Sequence, residues 1–184
     1  MRRDDFDAAT GWRARLELGF ERRGGRTVLA ERRHDGPLVV QKALHPEGEA
    51  VCHAIVVHPP AGIAGGDDLA IAARAGAGSR ALLTTPGAGK WYRSAAAEAE
   101  QTVILKVGAG GTAEWLPQES IVFDGAKARM RTAVALAEGA RYIGVETLCL
   151  GRRASGETFG RGSLRLATDI TLAGKPLWRE RGRL

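Results

Sequence analysis

A mainly β fold is what this sequence predicts, and three observations carry the prediction. Apolar and polar residues alternate with a period of two in one segment after another. Turn signals recur roughly every ten residues, as they do in chains built from short strands. Glycine accounts for 25 of 184 residues, enough to supply a corner after almost every such segment.

Taken in order, "MRRDDFDAAT" (residues 1–10) has two arginines and no apolar stretch behind them, so it predicts a disordered tail and not a secretory signal. Residues 11–184 then read as one β domain. In "RARLELGFER", Ala14, Leu16, Leu18 and Phe20 share a face opposite Arg13, Arg15, Glu17 and Glu21. Gly24-Gly25 predicts a hairpin into "RTVLAERR". "LVVQKAL" fits a short strand, and "AVCHAIVVH" a more continuously apolar one buried on both faces. "DLAIAARA" and "RALLTT" read as a pair joined at residues 76–79, and "AEQTVILKVG" and "TAEWLPQ" as a hairpin across "GAGG". "ARMRTAVALA" places Met130, Thr132, Val134 and Leu136 on one side. "SLRLATDITL" turns at Ala173-Gly174-Lys175 into "PLWRERGRL". That last strand has no partner after it, so its outer edge needs a cover from another chain or from a longer domain.

Two segments break the rhythm. "GARYIGVETLCLGRR" has Ile143, Thr147 and Leu150 at helical spacing and predicts a helix ended by Gly151. "RSAAAEAE" predicts a shorter helical turn within residues 92–99. No linker divides the chain, and no clean internal repeat is visible.

Composition sets outer bounds. Hydrophobic residues make up 44% and charged residues 26%, ordinary for a globular domain. No apolar run reaches the length of a membrane-crossing helix. Two cysteines, Cys52 and Cys149, fall short of a disulfide framework and point to a reduced, cytoplasmic compartment. A net charge of +6 and a pI of about 9.9 invite a nucleic-acid reading. The basic residues are nevertheless dispersed among acids, and aromatics are only 5%, leaving few platforms for base stacking.

Two glycine-rich loops resemble phosphate-binding motifs and fail as such. In "TTPGAGKWYRS", a G-x-x-x-x-G-K-[S/T] loop ending at Lys90 would need glycine where Thr84 stands and a hydroxyl where Trp91 stands. Pro86 also removes a backbone N–H from a motif that works by aiming N–H groups. "HPPAGIAGGDD" lacks G-x-G-x-x-G and leads into a strand, not a helix. Both read as rigid corners. In the first, Trp91 and Tyr92 anchor the turn, and Lys90 and Arg93 project as a basic contact for a partner.

Metal and catalytic signals are weak. Cys52, His53 and His58 are close in sequence, but a strand separates the first and last by roughly 20 Å and turns His53 to the other face. His34 and His45 add no ligand pair, and no CxxC or HxxxH occurs. Neither G-x-S-x-G nor H-E-x-x-H is present. The acids Glu49, Asp67, Asp124, Glu146 and Glu180 form no pair by spacing. The residues alone describe a basic, glycine-cornered binding or assembly protein.

"GPLVVQKALHPEGEAVCHAIVVHPPAGIAGGD", "LLTTPGAGKWYRS", "EWLPQESIVFDGAKA" and "CLGRRASGETF" occur in this order. Together they closely resemble the UreD (also UreH) family of urease accessory proteins, from about Gly11 onward. The resemblance implies a maturation scaffold without catalytic activity of its own. It implies a stacked, helix-like winding of short strands with one or two α-helices. Its implied partners are the urease apoprotein, the accessory protein UreF and, through UreF, the GTPase UreG. No cofactor is implied as tightly bound; nickel in transit is. A polar route for that nickel maps here onto Asp67 in "GGD", Glu146 in "GVETLCLGR", Glu180 in "WRER" and, more loosely, Glu49. The family runs beyond Leu184, so the resemblance makes this β domain incomplete at its C-terminus. The alternative is a basic β-rich protein that binds RNA or DNA.

Overall fold

A computed structural model of the chain describes residues 11–184. The expected tail at 1–10 lies outside them. Strands β1 (Arg13–Arg23) and β2 (Arg26–Asp35) form the hairpin predicted at Gly24-Gly25, and β3 (Val39–Leu44) and β4 (Cys52–Val57) form a second antiparallel pair. From there the chain coils. One turn is β5 (Asp68–Ala75), β6 (Arg80–Thr84) and β7 (Gly89–Trp91). The next is β8 (Ala99–Val107), β9 (Thr112–Trp115) and β10 (Ser120–Val122). The third is β11 (Lys127–Leu136), β12 (Arg141–Gly144) and β13 (Leu148–Leu150). β14 (Ser163–Leu172) opens a fourth turn and folds back as β15 (Lys175–Arg183).

Each of these three full turns contributes one strand to each of three sheets. The long sheet runs β15-β14-β11-β8-β5-β1-β2, the second β12-β9-β6-β4-β3, and the third β13-β10-β7. Within the coils every neighbour is parallel and in register. The stacked, helix-like arrangement of short strands is therefore the fold.

This topology corrects several local readings. β5 and β6 belong to different sheets, as do β8 and β9, so neither pair is a hairpin. Their short glycine turns, which look like hairpin loops, instead swing the chain onto the next face. There is also a structural repeat, one coil per turn, which the sequence obscures: the first corner is constant (76–79, 108–111, 137–140), but the return connections (92–98, 123–126, 151–162) differ in length.

The expected helix at 140–151 is instead β12, a corner and β13, because Arg141–Gly144 adds to β9 and Leu148–Leu150 to β10. Two short strands around a corner mimic the spacing of one helix. Residues 92–98 form a loop, not a helical turn. Among the described residues the single helical element is a 3-10 turn at Arg153–Ser155, and no α-helix occurs. β4 is less buried than its apolar run suggests: Cys52, Ala54 and Val56 are buried and the residues between them half-buried.

Register explains the core. The residues Leu16, Ile71, Val103 and Thr132 pair one to the next across β1, β5, β8 and β11, and all four are buried. The row continues to Thr168 on β14 and Glu180 on β15. A parallel row, Leu18, Ala73, Leu105 and Val134, lies beside it. In such a ladder each apolar residue stacks on its equivalent in the next coil, so burial accumulates by coil. At the β15 end the stack is uncovered. β15 pairs on one side alone, and Ile143, Val145, Leu177 and Trp178 are exposed.

Candidate functional site

The glycine-cornered loops meet. Ile63 of "HPPAGIAGGDD" forms a parallel bridge to Trp91 of "TTPGAGKWYRS", with Ile63 N donating to Lys90 O at 2.7 Å and Tyr92 N to Ile63 O at 2.8 Å. The first loop thus occupies the place of a strand next to β7. Trp91 is buried, whereas Tyr92 is exposed and packs edge-on against Phe123 at 5.2 Å. The anchoring predicted for this corner therefore rests chiefly on Trp91. The loop sits between β6 and β7, and past it the chain continues as strand and loop, without the helix that a phosphate loop requires.

Behind the bridged loops lies a cavity of about 190 Å³ inside the coil. Its walls come from the loops singled out by sequence. Ala61, Gly62 and Ile63 supply one wall, and residues 85–90 another. Trp115, Pro117, Gln118 and Ser120 of the "WLPQES" segment form a third, and Glu146, Thr147 and Leu148 the rim. Inward residues of the long sheet, Gln101, Met130 and Thr132, close the floor.

Two buried polar atoms in the walls of this space have no protein partner. His58 Nε2 and Trp115 Nε1 are buried, belong to residues that line the cavity and make no hydrogen bond within the protein. Buried polar groups are nearly always satisfied, so these two atoms are exceptions, closed to solvent in a mainly apolar wall. Burial pushes the His58 imidazolium pKa below its ordinary value, against a smaller opposing pull from Asp67. The ring is thus held neutral, the form that offers a lone pair.

The expected site residues divide into groups. Glu146 Oε1 accepts a hydrogen bond from Thr132 Oγ1 at 2.5 Å, which fixes that carboxylate at the exposed rim of the cavity. Glu180 lies in register with Thr168, itself in register with Thr132, so both carboxylates flank one row of hydroxyls at the open end of the stack. Glu180 is exposed.

Asp67 is elsewhere, 2% exposed, and both its oxygens are engaged: Trp12 N donates to Oδ1 and Ala64 N to Oδ2, each at 2.8 Å. It closes the "GGD" corner as a turn cap. Glu49 is on the outside near β2, paired with Arg26 at 2.8 Å. Lys90 and Arg93 are exposed as expected; Lys90 borders the cavity, and Arg93 Nε donates to Asp124 O at 3.4 Å.

The Cys52, His53 and His58 cluster is dispersed. Cys52 is buried in the core, His53 Nε2 lies 2.6 Å from Glu47, and His58 faces the cavity. No group of three His, Cys, Asp or Glu side chains is close enough to cage an ion among the described residues. Sequence reasoning passed over Gln101, Trp115 and Thr132 as site residues. Gln101 and Thr132 were legible as polar residues in otherwise apolar inward series.

The fold and this cavity define a class: a β-coil scaffold whose interior carries a small, motif-walled chamber. Comparison with known proteins is specific. The family model described as UreD urease accessory protein matches residues 12–184. The chain belongs to that family. It is 64% identical over 171 residues to the urease accessory protein UreD of Dechloromonas aromatica (strain RCB), covering 93% of this chain and 59% of that protein. It is 59% identical over 177 residues to UreD of Azoarcus sp. (strain BH72), covering 96% and 62%. With UreD of Cupriavidus pinatubonensis (strain JMP 134 / LMG 1197) identity is 51% over 188 residues, covering 100% and 65%. The chain thus spans 59–65% of the length of these curated relatives. All three carry accessory-protein names, and none supports the nucleic-acid reading. Among the described residues no helix is long and apolar enough to cross a membrane.

Proposed function

We propose that this chain is a non-catalytic scaffold in urease maturation and that its interior chamber is one stretch of a polar route for nickel. The observation that carries the reading is convergence. Loops from the segments that carry the family resemblance wall one chamber, and the Glu146 carboxylate, held by Thr132, stands at its rim.

The ligand chemistry suits passage rather than storage. Glu146 and Glu180 offer hard, exposed carboxylates at one end of the stack, and neutral His58 lines the chamber. Such sparse ligands leave water on the ion and release it readily, unlike a cage of thiolates and imidazoles. Asp67 contributes negative charge near His58, and Glu49 lies at the far end of the stack. The urease apoprotein would receive the ion, with UreF and, through it, the UreG GTPase on the supply side. Lys90 and Arg93, beside the chamber, would contact a partner.

The test is nickel loading of urease in cells with limiting nickel, scored as metal per urease active site. Glu146→Gln and Glu180→Gln together are expected to lower loading by about tenfold while leaving binding to apo-urease intact. Asp67→Asn is preferable to Asp67→Ala, because alanine would also free the N–H groups of Trp12 and Ala64. Unchanged loading in the double variant would remove the route; loss of apo-urease binding by the unaltered chain would remove the scaffold.

A further inference from the structure

The outward face of the long sheet carries an arrangement that the interior route does not use. Arg129, Arg165 and Arg183 stand directly opposite one another on β11, β14 and β15. One step along, Arg131 and Arg181 flank Ala167 in the same way, and Arg179 stands opposite Asp169. Arginines of all three strands line a shallow groove of about 530 Å³ that crosses them.

Like charges directly opposite on neighbouring strands destabilise a sheet. The fixed carboxylates only partly relieve the repulsion. Glu98 lies 2.8 Å from Arg129 and 3.8 Å from Arg165, and Asp169 bridges Arg179 and Arg181 at 3.0 and 2.7 Å. Arg131 and Arg183 have no carboxylate within ion-pair distance among the described residues. The groove therefore keeps an excess of positive charge at a cost to the sheet.

We propose that this groove is a docking surface for a carboxylate-rich segment of a partner protein. Guanidinium groups present paired N–H donors that match carboxylates bidentately, and a row of them at strand spacing meets alternate acidic side chains of an extended segment. The embedded Glu100 and Asp169 favour a peptide over a nucleic acid. They repel a continuous phosphate backbone, yet they give pairing points to a segment that mixes acids with occasional bases. Among the described residues no aromatic side chain lines the groove for base stacking.

The test compares two variants of equal net charge. Arg131→Gln/Arg183→Gln removes the two unpaired arginines of the groove. Lys42→Gln/Lys106→Gln removes two exposed lysines outside it. Binding is measured by fluorescence anisotropy with a polyglutamate peptide and, separately, with oligothymidylate, across a salt series. The groove variant is expected to lose about tenfold in polyglutamate affinity, and the lysine variant far less. The groove variant should also melt no lower than the wild type, since it sheds repulsion and no ion pair. Equal losses in both variants would show binding by net charge and overturn the proposal. So would tighter binding of oligothymidylate that the groove variant abolishes, which would make the groove a nucleic-acid surface.

Discussion

At the scale of single residues, charge is organised in compact local clusters. Glu157 is the clearest. Arg152 donates to it at 2.6 and 3.2 Å, and Asp124 N donates at 3.1 Å. The Arg152 hydrogen bonds, followed by that of Asp124 N, pull its carboxyl from 4.5 to about 2. Asp124 is lowered as well, chiefly by the backbone N–H and then the side chain of Arg161. A carboxylate lowered by folding adds stability that is present above its unfolded value and is lost as pH falls through the folded one. The Glu157 contribution is thus expected to fade from about pH 4.5 down to about 2. Replacing Arg152 by alanine should move the Glu157 titration back toward 4.5, read by carbon NMR of the carboxyl. A titration that stays near 2 would assign the shift to the backbone donor instead. Arg152 also lies over the Phe123 ring at 4.6 Å, so its loss should loosen the 3-10 corner.

At the scale of elements, the corners decide where each strand goes. Gly162 ends the long connection from β13 to β14 with a φ of 118°, and a Cβ there would collide with Ala126 O. Neither the backbone angle nor the close approach admits a side chain. Gly162→Ala is expected to cost about 2–4 kcal/mol, measured as the shift of the urea midpoint at constant slope. A shift below about 0.5 kcal/mol would mean that the corner can relax.

Corners also show what sequence patterning resolves and what it does not. Alternation identified the inward faces of β1 and β11 correctly, because each strand buries one side whichever strand it pairs with. It could not choose between a hairpin and a coil corner after β5 and β8. Glycine at "GAGS" and "GAGG" satisfies both, and the choice depends on whether the next segment finds its partner in the same turn or in the preceding one. The mistaken helix has the same origin. Helical spacing of Ile143, Thr147 and Leu150 is a local fact, while β9 and β10, which capture those residues' segments as strands, lie a full coil earlier.

At the scale of the whole molecule, stability is a sum over coils and their interfaces. β5, β8 and β11 are paired on both sides and carry the rows of buried Leu, Val and Ala. β2 and β15 are sheet edges. Amide hydrogen exchange should follow this order. The amides of Val103 and Leu105 should exchange at the global limit, and those of β15 about a hundredfold faster or more. Uniform protection across β8 and β15 would contradict the coil-by-coil picture. On β11 Met130 and Arg131 border both the chamber and the groove, while Thr132 belongs to the chamber and Arg129 to the groove.

Sequence alone determined the β class, the inward faces, the failure of the phosphate-loop motif and the family resemblance. Each of these depends on residue type and short spacing, which are local. Tertiary structure alone decided the coil winding, the meeting of the loops around one chamber, the capping duty of Asp67 and the stacking of arginines across β11, β14 and β15. Those features arise between residues far apart in the chain, brought together when one coil settles in register on the last. Register is fixed by the collective burial of a whole row, and no short stretch of sequence contains it.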